Sequence, residues 1–396
     1  MHSCISLVCL LAFLSTLLSR LLPRKKRIPF SNISDIIALL NPPEASISDL
    51  LLARAGPNTR LVHAFGLENT FVSADSVLRK RFITSAREIL RQHTRQFAAF
   101  PDVARGVVEE SARRLHSSRK PSMSFASFVG AVTLRIVVGS MLGGHIPEDS
   151  DEDTVFVVEA INELWLLSKN AARPPPAAGL LDTVNAHLHR WMPGKYERPL
   201  DFVIPAHETM WRVIAATVAR AIHDSGARAA FSAYLDSPTQ DQFVRFKKNS
   251  SPQQPSVEAF LCEVLRLHPP SRSISRTAPS RLGVFQYLWA APATTHVANI
   301  EALHQDKETW GSDAAVFDPM RFHESRLSYE QKYGYIPFSY GPLRCIAFKE
   351  APRFAAIVAA AVLEIVSGPD AKYRLVCGEK IGRREGWEGW LIEARD

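Results

Sequence analysis

Apolar residues at helical spacing set the strongest limit on what this chain can fold into. Met210, Ile214, Val218 and Ile222 recur at every fourth position within residues 201–224. So continuous a stripe predicts one long helix buried along that face, opened by Pro205 near its start. The same spacing predicts amphipathic helices over residues 79–97, 103–115 and 155–167. Val257–Leu267 reads as a shorter helix stopped by Pro269 and Pro270, and residues 346–366, rich in Ala and apolar nearly all round, as a buried one. Strand candidates are few and short: Thr295–Asn299, residues 373–377 and residues 390–393. The expected class is mainly α with a minor β portion.

Composition narrows the function classes. With 396 residues, 46% hydrophobic and 22% charged, the chain can bury a large core, which excludes wholesale disorder and collagen-like or disulfide-scaffold folds. The formal charge is +7, but Arg20, Arg24, Lys25, Lys26 and Arg27 carry five of those charges, leaving +2 downstream. A basic groove for nucleic acid is therefore not indicated. Cys4 and Cys9 lie in an apolar leader, and Cys262, Cys345 and Cys377 are too scattered for a disulfide framework or a metal knuckle, which points to a reducing compartment.

The leader, residues 1–19, has no Asp, Glu, Lys or Arg and is followed by the basic cluster. Basic residues after an apolar run, with no small-residue cleavage site, predict a membrane anchor over residues 1–22 with the C-terminal bulk in the cytosol. Residues 23–30 are then expected to form a basic, Pro-containing linker, and residues 31–396 a single domain.

The segment PFSYGPLRCIAFK, residues 337–349, leads through Gly341-Pro342 to Cys345 and into the buried helix. A thiol at a helix N-terminus is expected to have a lowered pKa. Taken alone, a cysteine opening an apolar helix is more often core filling than a ligand. Phe338, Gly341, Arg344, Cys345 and Ala347, however, resemble the haem-binding loop of the cytochrome P-450 superfamily. The resemblance implies haem b with the Cys345 thiolate as axial ligand of its iron. It extends to Glu263 and Arg266 in EVLRLHPP and to Phe317, Pro319, Arg321 and Phe322 in TWGSDAAVFDPMRF, implying a buried Glu263, Arg266, Arg321 triad that supports the loop. On the long helix, Pro205 to Thr209 is similar to the family's oxygen-activating stretch, so Glu208 and Thr209 are the implied proton relay. Residues 297–311 are similar to the strand and turn that precede the second-arginine segment. His304 within them reads as a solvated turn residue without a catalytic role.

Several positions depart from the family pattern. Leu343 stands where Arg or His usually binds a haem propionate, a role that passes by resemblance to the adjacent Arg344; Ala347 replaces the commoner Gly, and Met210 follows Thr209 where a second Thr is frequent. Against the family's usual length the N-terminal region is expected to be shortened, and Arg79 and Arg81 are the candidates for the propionate-binding arginine of the early helix. By resemblance the chain is a haem-thiolate monooxygenase of the endoplasmic reticulum membrane. It would oxidise a lipophilic small molecule with O₂ and NADPH-derived electrons from a reductase docked near Arg344, Lys349 and Arg353. The stretch PAHETMWRV resembles fungal secondary-metabolism members. The alternatives are isomerisation, dehydration or ring coupling on the same haem, and a shortened haem-binding or membrane-tethered interaction protein without turnover.

Overall fold

The structure, a computed structural model, describes residues 27–117, 121–170, 172–245, 254–277, 294–368 and 371–395. In chain order the elements are β1 (Arg27–Phe30), α1 (Ile33–Leu40), α2 (Ile47–Phe65), α3 (Ser76–Arg95), α4 (Phe100–Ser117), β2 (Ser122–Ser124), α5 (Phe125–Ile136), α6 (Asp151–Lys169) and α7 (Leu180–Trp191). They continue with α8 (Leu200–Ala221), α9 (Ser225–Asp236), α10 (Gln240–Phe243), α11 (Val257–Leu267), β3 (Ser273–Thr277), β4 (Thr295–Asn299), α12 (Ile300–His304) and α13 (Lys307–Trp310). The last are α14 (Tyr329–Gly334), α15 (Ala351–Ser367), β5 (Tyr373–Val376) and β6 (Leu391–Ala394).

Helix α8 is the axis of the core. Its apolar stripe is buried from Leu200 to Ala221, with Trp211, Ile214 and Val218 at full burial. Pro205 lies inside this helix rather than at its first turn. Its missing N–H frees the Asp201 carbonyl, which accepts from Asn69 Nδ2 at 3.0 Å instead. Helix α15 packs against α8, and its Ala355, Ala356, Ala359 and Ala360 are all buried, small side chains suited to close helix packing. On the other side α5 lies between α8 and α6. A Cβ on Gly130 of α5 would stand 2.6 Å from a Val158 methyl, so only glycine permits that crossing.

Two three-stranded sheets flank the helices. In the first, β4 pairs in parallel with β1 and antiparallel with β3; in the second, β6 is central and antiparallel to β2 and β5. Helix α1 covers the first sheet through a small core of Ile36, Leu40, Ala298, Ile300, Leu303 and Ile336. Arg27–Phe30, at the end of the expected 23–30 linker, is thus a paired strand.

Among the described residues no helix is long and apolar enough to cross a membrane. The expected membrane anchor, transmembrane helix and endoplasmic-reticulum placement are corrected on that finding. The residues 1–22 that carried the expectation lie outside the described residues.

Candidate functional site

The site is best built outward from α11. Ser256 caps this helix, its hydroxyl accepting from the Ala259 N–H at 3.0 Å, and the helix ends at His268 before two prolines. Three-residue spacing puts Glu263 and Arg266 on one face, both with side chains 0% exposed. Arg266 grips Glu263 with two parallel bonds of 2.7 Å from Nε and Nη2, and its Nη1 donates to the carbonyls of His304 and Ala314 at 2.7 and 2.6 Å. Arg321 brings its Nε to 3.8 Å from Glu263 Oε1, and the Asp318 N–H donates to the same oxygen at 2.9 Å. One carboxylate between two guanidiniums leaves a positive charge, and half-exposed Asp313 meets it, at 3.0 Å from Arg321 Nη2. Sequence reading gave no hint of Asp313, which reaches Arg321 only through the turn between α13 and Pro319.

His304 is not the solvated turn residue expected from the sequence. It is 0% exposed, stacks on Tyr335, and its Nε2 accepts from the Ile336 N–H at 3.2 Å. Burial, with Arg266 nearby, pushes its pKa down to about 3, so the ring stays neutral and can accept that bond. The braced region thus ends two residues before Phe338, where the cysteine loop begins.

The loop folds back on itself. The Cys345 N–H donates to the Phe338 carbonyl at 3.0 Å and the Arg344 N–H to that of Gly341 at 3.0 Å. Ser339 and Gly341 take φ of +68° and +70° to make the turn. A Cβ at Gly341 would also lie 2.7 Å from Cβ of Asn41, which follows α1. Phe338 packs half-buried against the main core, Leu343 is half-buried, and Cys345 is exposed.

Helix α15 starts only at Ala351, so the Cys345 thiol is not at its N-terminus as expected. Burial among the surrounding atoms pushes the thiol pKa up, opposed by the Ala347 N–H bonded to the sulfur and by Arg344, while Glu350 adds to the rise. Arg344 is exposed and lies 3.7 Å over the Phe348 ring. Lys349 is exposed, whereas Arg353 is held at the Tyr234 hydroxyl and the Pro238 carbonyl, over the Phe97 ring.

On α8, Glu208 is 2% exposed and forms an ion pair with Arg384, from the loop between β5 and β6. Burial alone would raise the Glu208 carboxyl, but Arg384 and Arg212 together hold it below its ordinary value. Its Oε1 has no hydrogen-bond partner. Thr209 is half-buried, and His207 sets its Nε2 3.0 Å from the Gly130 carbonyl.

Of the two early arginines, Arg79 is half-buried and Arg81 exposed. Arg54 of α2 feels the charges of both Arg79 and Arg276 of β3, and sequence reading selected neither Arg54 nor Arg276. Arg54 donates to the Thr70 hydroxyl at 2.7 Å and to its carbonyl. Burial and the charges of Arg276 and Arg79 bring its pKa down to about 9, and burial brings that of Arg276 to about 10. The Nε atoms of Arg54 and Arg276 are buried without partners, and among the described residues no carboxylate pairs with any of the three. The available signal was an arginine within the apolar run LLLARAG and one inside the short strand SISRT. A thiol for iron and convergent guanidiniums for carboxylates form a donor set that fits haem b, which carries two propionates.

A family profile described as cytochrome P-450 matches residues 200–347, from the first residue of α8 to two residues past Cys345. Cytochrome P-450 CYP72A219 of Panax ginseng is 37% identical over 109 residues, 27% of this chain and 21% of that protein. Secologanin synthase 1 of Catharanthus roseus is 36% identical over 92 residues, 23% of this chain and 17% of that protein. Cytochrome P-450 734A5 of Oryza sativa subsp. japonica is 29% identical over 177 residues, 42% of this chain and 31% of that protein. The chain thus spans less than a third of the length of these relatives. Their sources are plants, not the fungi suggested by PAHETMWRV. Among solved structures, the haem domain of a cytochrome P450DA mutant superposes with a TM-score of 0.64 at 16% identity, covering 95% of this chain and 88% of that one. The chain therefore has the cytochrome P-450 fold.

Proposed function

We propose that this chain is a haem-thiolate monooxygenase that inserts one atom of O₂ into a lipophilic small molecule, with electrons drawn from NADPH through a reductase. Cys345 would hold the iron of haem b, with Phe338 and Gly341 shaping its loop, and Arg54, Arg79 and Arg276 would receive the propionates, offsetting Leu343. Bound there, the haem supplies oxygen activation, favoured by electron density from the thiolate. The protein's own part is positional. The Ala347 N–H steadies the sulfur, and the buried Glu263, Arg266 and Arg321 hold the approach to the loop through His304 and Ile336.

Thr209 supplies a half-buried hydroxyl that can hold a proton on α8. Glu208, kept ionised by Arg384, would take up a proton at its free Oε1 rather than begin as the acid. Exposed Arg344 and Lys349 offer the reductase positive charge, whereas the anchored Arg353 is not available for that role. A secondary-metabolite substrate is supported by likeness to the secologanin synthases.

The observation that carries this reading is the exposed Cys345 thiol in a loop whose N–H groups face inward and whose base is tied to a buried ion-pair network. The test is the absorption spectrum of the reduced, carbon monoxide-bound protein. The red-shifted thiolate form is expected in the wild type and lost in Cys345→Ser; its persistence in the variant overturns the ligand assignment. The locked Glu208 pair favours one second reading, haem-dependent isomerisation or dehydration, which predicts no NADPH-driven oxygen consumption with reductase and substrate.

A further inference from the structure

A second group of cations lies beside Glu208, and its place in the fold bears on the substrate. Helix α2 contributes Arg60, α6 contributes Lys169, α8 contributes Arg212, and the loop before β6 contributes Arg384. Three of them surround one indole: Arg384 at 4.7 Å, Arg60 at 5.1 Å and Lys169 at 5.8 Å from the Trp165 ring. Arg212 faces the same group, its Nε on the Glu208 carbonyl at 2.9 Å and its Nη1 on the Pro270 carbonyl at 2.8 Å. Glu208 is the one carboxylate acting on Lys169 and Arg212 among the described residues, and its ion pair is with Arg384.

A solvated basic face would look different. The Arg384 side chain is 8% exposed, Arg60 and Arg212 are half-buried, and Arg60 is tied to the Ser168 hydroxyl at 2.6 Å. Lys169 stands at the exposed end of the group, and partial burial of its side chain, helped by the charges of Arg60, Arg384 and Arg212, brings its pKa down to about 8. The arrangement suits an added anion. Trp165, with Phe65 at 5.9 Å between ring centroids, adds an apolar wall beside the charges, which suits an amphipathic molecule better than an inorganic ion. Glu208 precedes Thr209, so the cations gather at the turn of α8 that carries the hydroxyl assigned to proton handling.

We infer that the substrate is an amphipathic acid whose carboxylate is received by Arg60, Lys169 and Arg212 beside Trp165. This rests on the monooxygenase reading for its chemistry, but the binding test does not. Three probes share one alkyl chain and differ in charge: dodecanoate, methyl dodecanoate and dodecyltrimethylammonium. Each is titrated into the holoenzyme, read by quenching of tryptophan fluorescence, while the carbon monoxide spectrum of the same preparation reports separately on the haem-thiolate reading. Dodecanoate should bind about tenfold or more tighter than its ester, the discrimination of a charge-assisted hydrogen bond, and the ammonium probe weakest. Arg60→Gln and Lys169→Gln should each bring the acid toward the ester while leaving the ester unchanged, and Arg60→Lys should restore part of the preference. Equal binding of acid and ester, tightest binding of the ammonium probe, absence of binding by all three, or a preference untouched by both glutamine variants would each overturn the inference.

Discussion

Removing the Glu263 side chain would test whether the buried ion-pair network supports the site. In Glu263→Ala, Arg266 loses both bonds of its fork, Arg321 loses a neighbour at 3.8 Å, and the Asp318 N–H loses its acceptor. Arg266 keeps its bonds to the His304 and Ala314 carbonyls, so its hydrogens are not all orphaned, but its charge stays fully buried without a counter-ion. Breaking a buried pair from one side costs about 3–5 kcal/mol. Against a total stability of roughly 5–15 kcal/mol, that is a hundredfold or greater rise in the unfolded fraction. The assay is urea unfolding followed by circular dichroism, with haem content measured on the same samples. The midpoint should fall sharply with little change in slope, and haem retention should fall with it. Asp313→Ala is the control, since this carboxylate pairs with Arg321 from a half-exposed position, and its loss should be small and salt-sensitive. If Glu263→Ala cost no more than Asp313→Ala, the reasoning from burial would be refuted.

Gly341→Ala should destabilise the cysteine loop by at least about 1–2 kcal/mol, from the left-handed backbone and the contact with Asn41. Asn41→Gly should relieve only part of it, as measured by unfolding midpoints of the single and double variants. His304 and His268 both have a pKa of about 3 in the folded state, lowered chiefly by burial, against 6.5 ordinarily. The unfolded chain therefore binds more protons between those values, so the stability from keeping these rings neutral is intact above pH 6.5 and is lost as pH falls toward 3. A His304→Gln, His268→Gln double variant should show a shallower decline of its urea midpoint over that range. Thr209→Ala should keep haem and substrate binding while product per NADPH falls and hydrogen peroxide rises, because a positioned proton carrier is worth about 10²–10⁴-fold in its step. Unchanged coupling would remove Thr209 from the proton path.

What could be read from the sequence was local or periodic. The stripe on α8 and the Pro-Pro stop after α11 each have a cause within a few residues, and both helices lie where those patterns put them. Helix α2 went unread because Gly56 and Pro57 look like a break, although its Ser46 capping box and tertiary packing carry the helix through them. Strand β1 went unread because its pairing partner, β4, lies far along the chain. The start of α15 was placed too early because Ile346, Ala347 and Phe348 continue an apolar pattern, whereas the backbone there serves the loop and the Ala347 N–H serves the sulfur. The partners of Glu208 and Arg79 were out of reach for another reason. Arg384, Arg54 and Arg276 meet them only in the folded chain, and an isolated arginine has no local signature of what it will face.

Both sheets tie an early strand to a late one, and this has a cost during synthesis. Strand β1 waits for β4, and β2 at Ser122–Ser124 waits for β6 at Leu391–Ala394, the strand that also holds β5. At a ribosomal rate of roughly 5–20 residues per second, the wait is on the order of tens of seconds. For that interval the helices can gather while the edges of β1 and β2 stay open to other nascent chains. Slower translation lengthens this exposure, so the yield of soluble protein should depend on elongation rate and chaperone supply before it depends on the stability of the finished molecule.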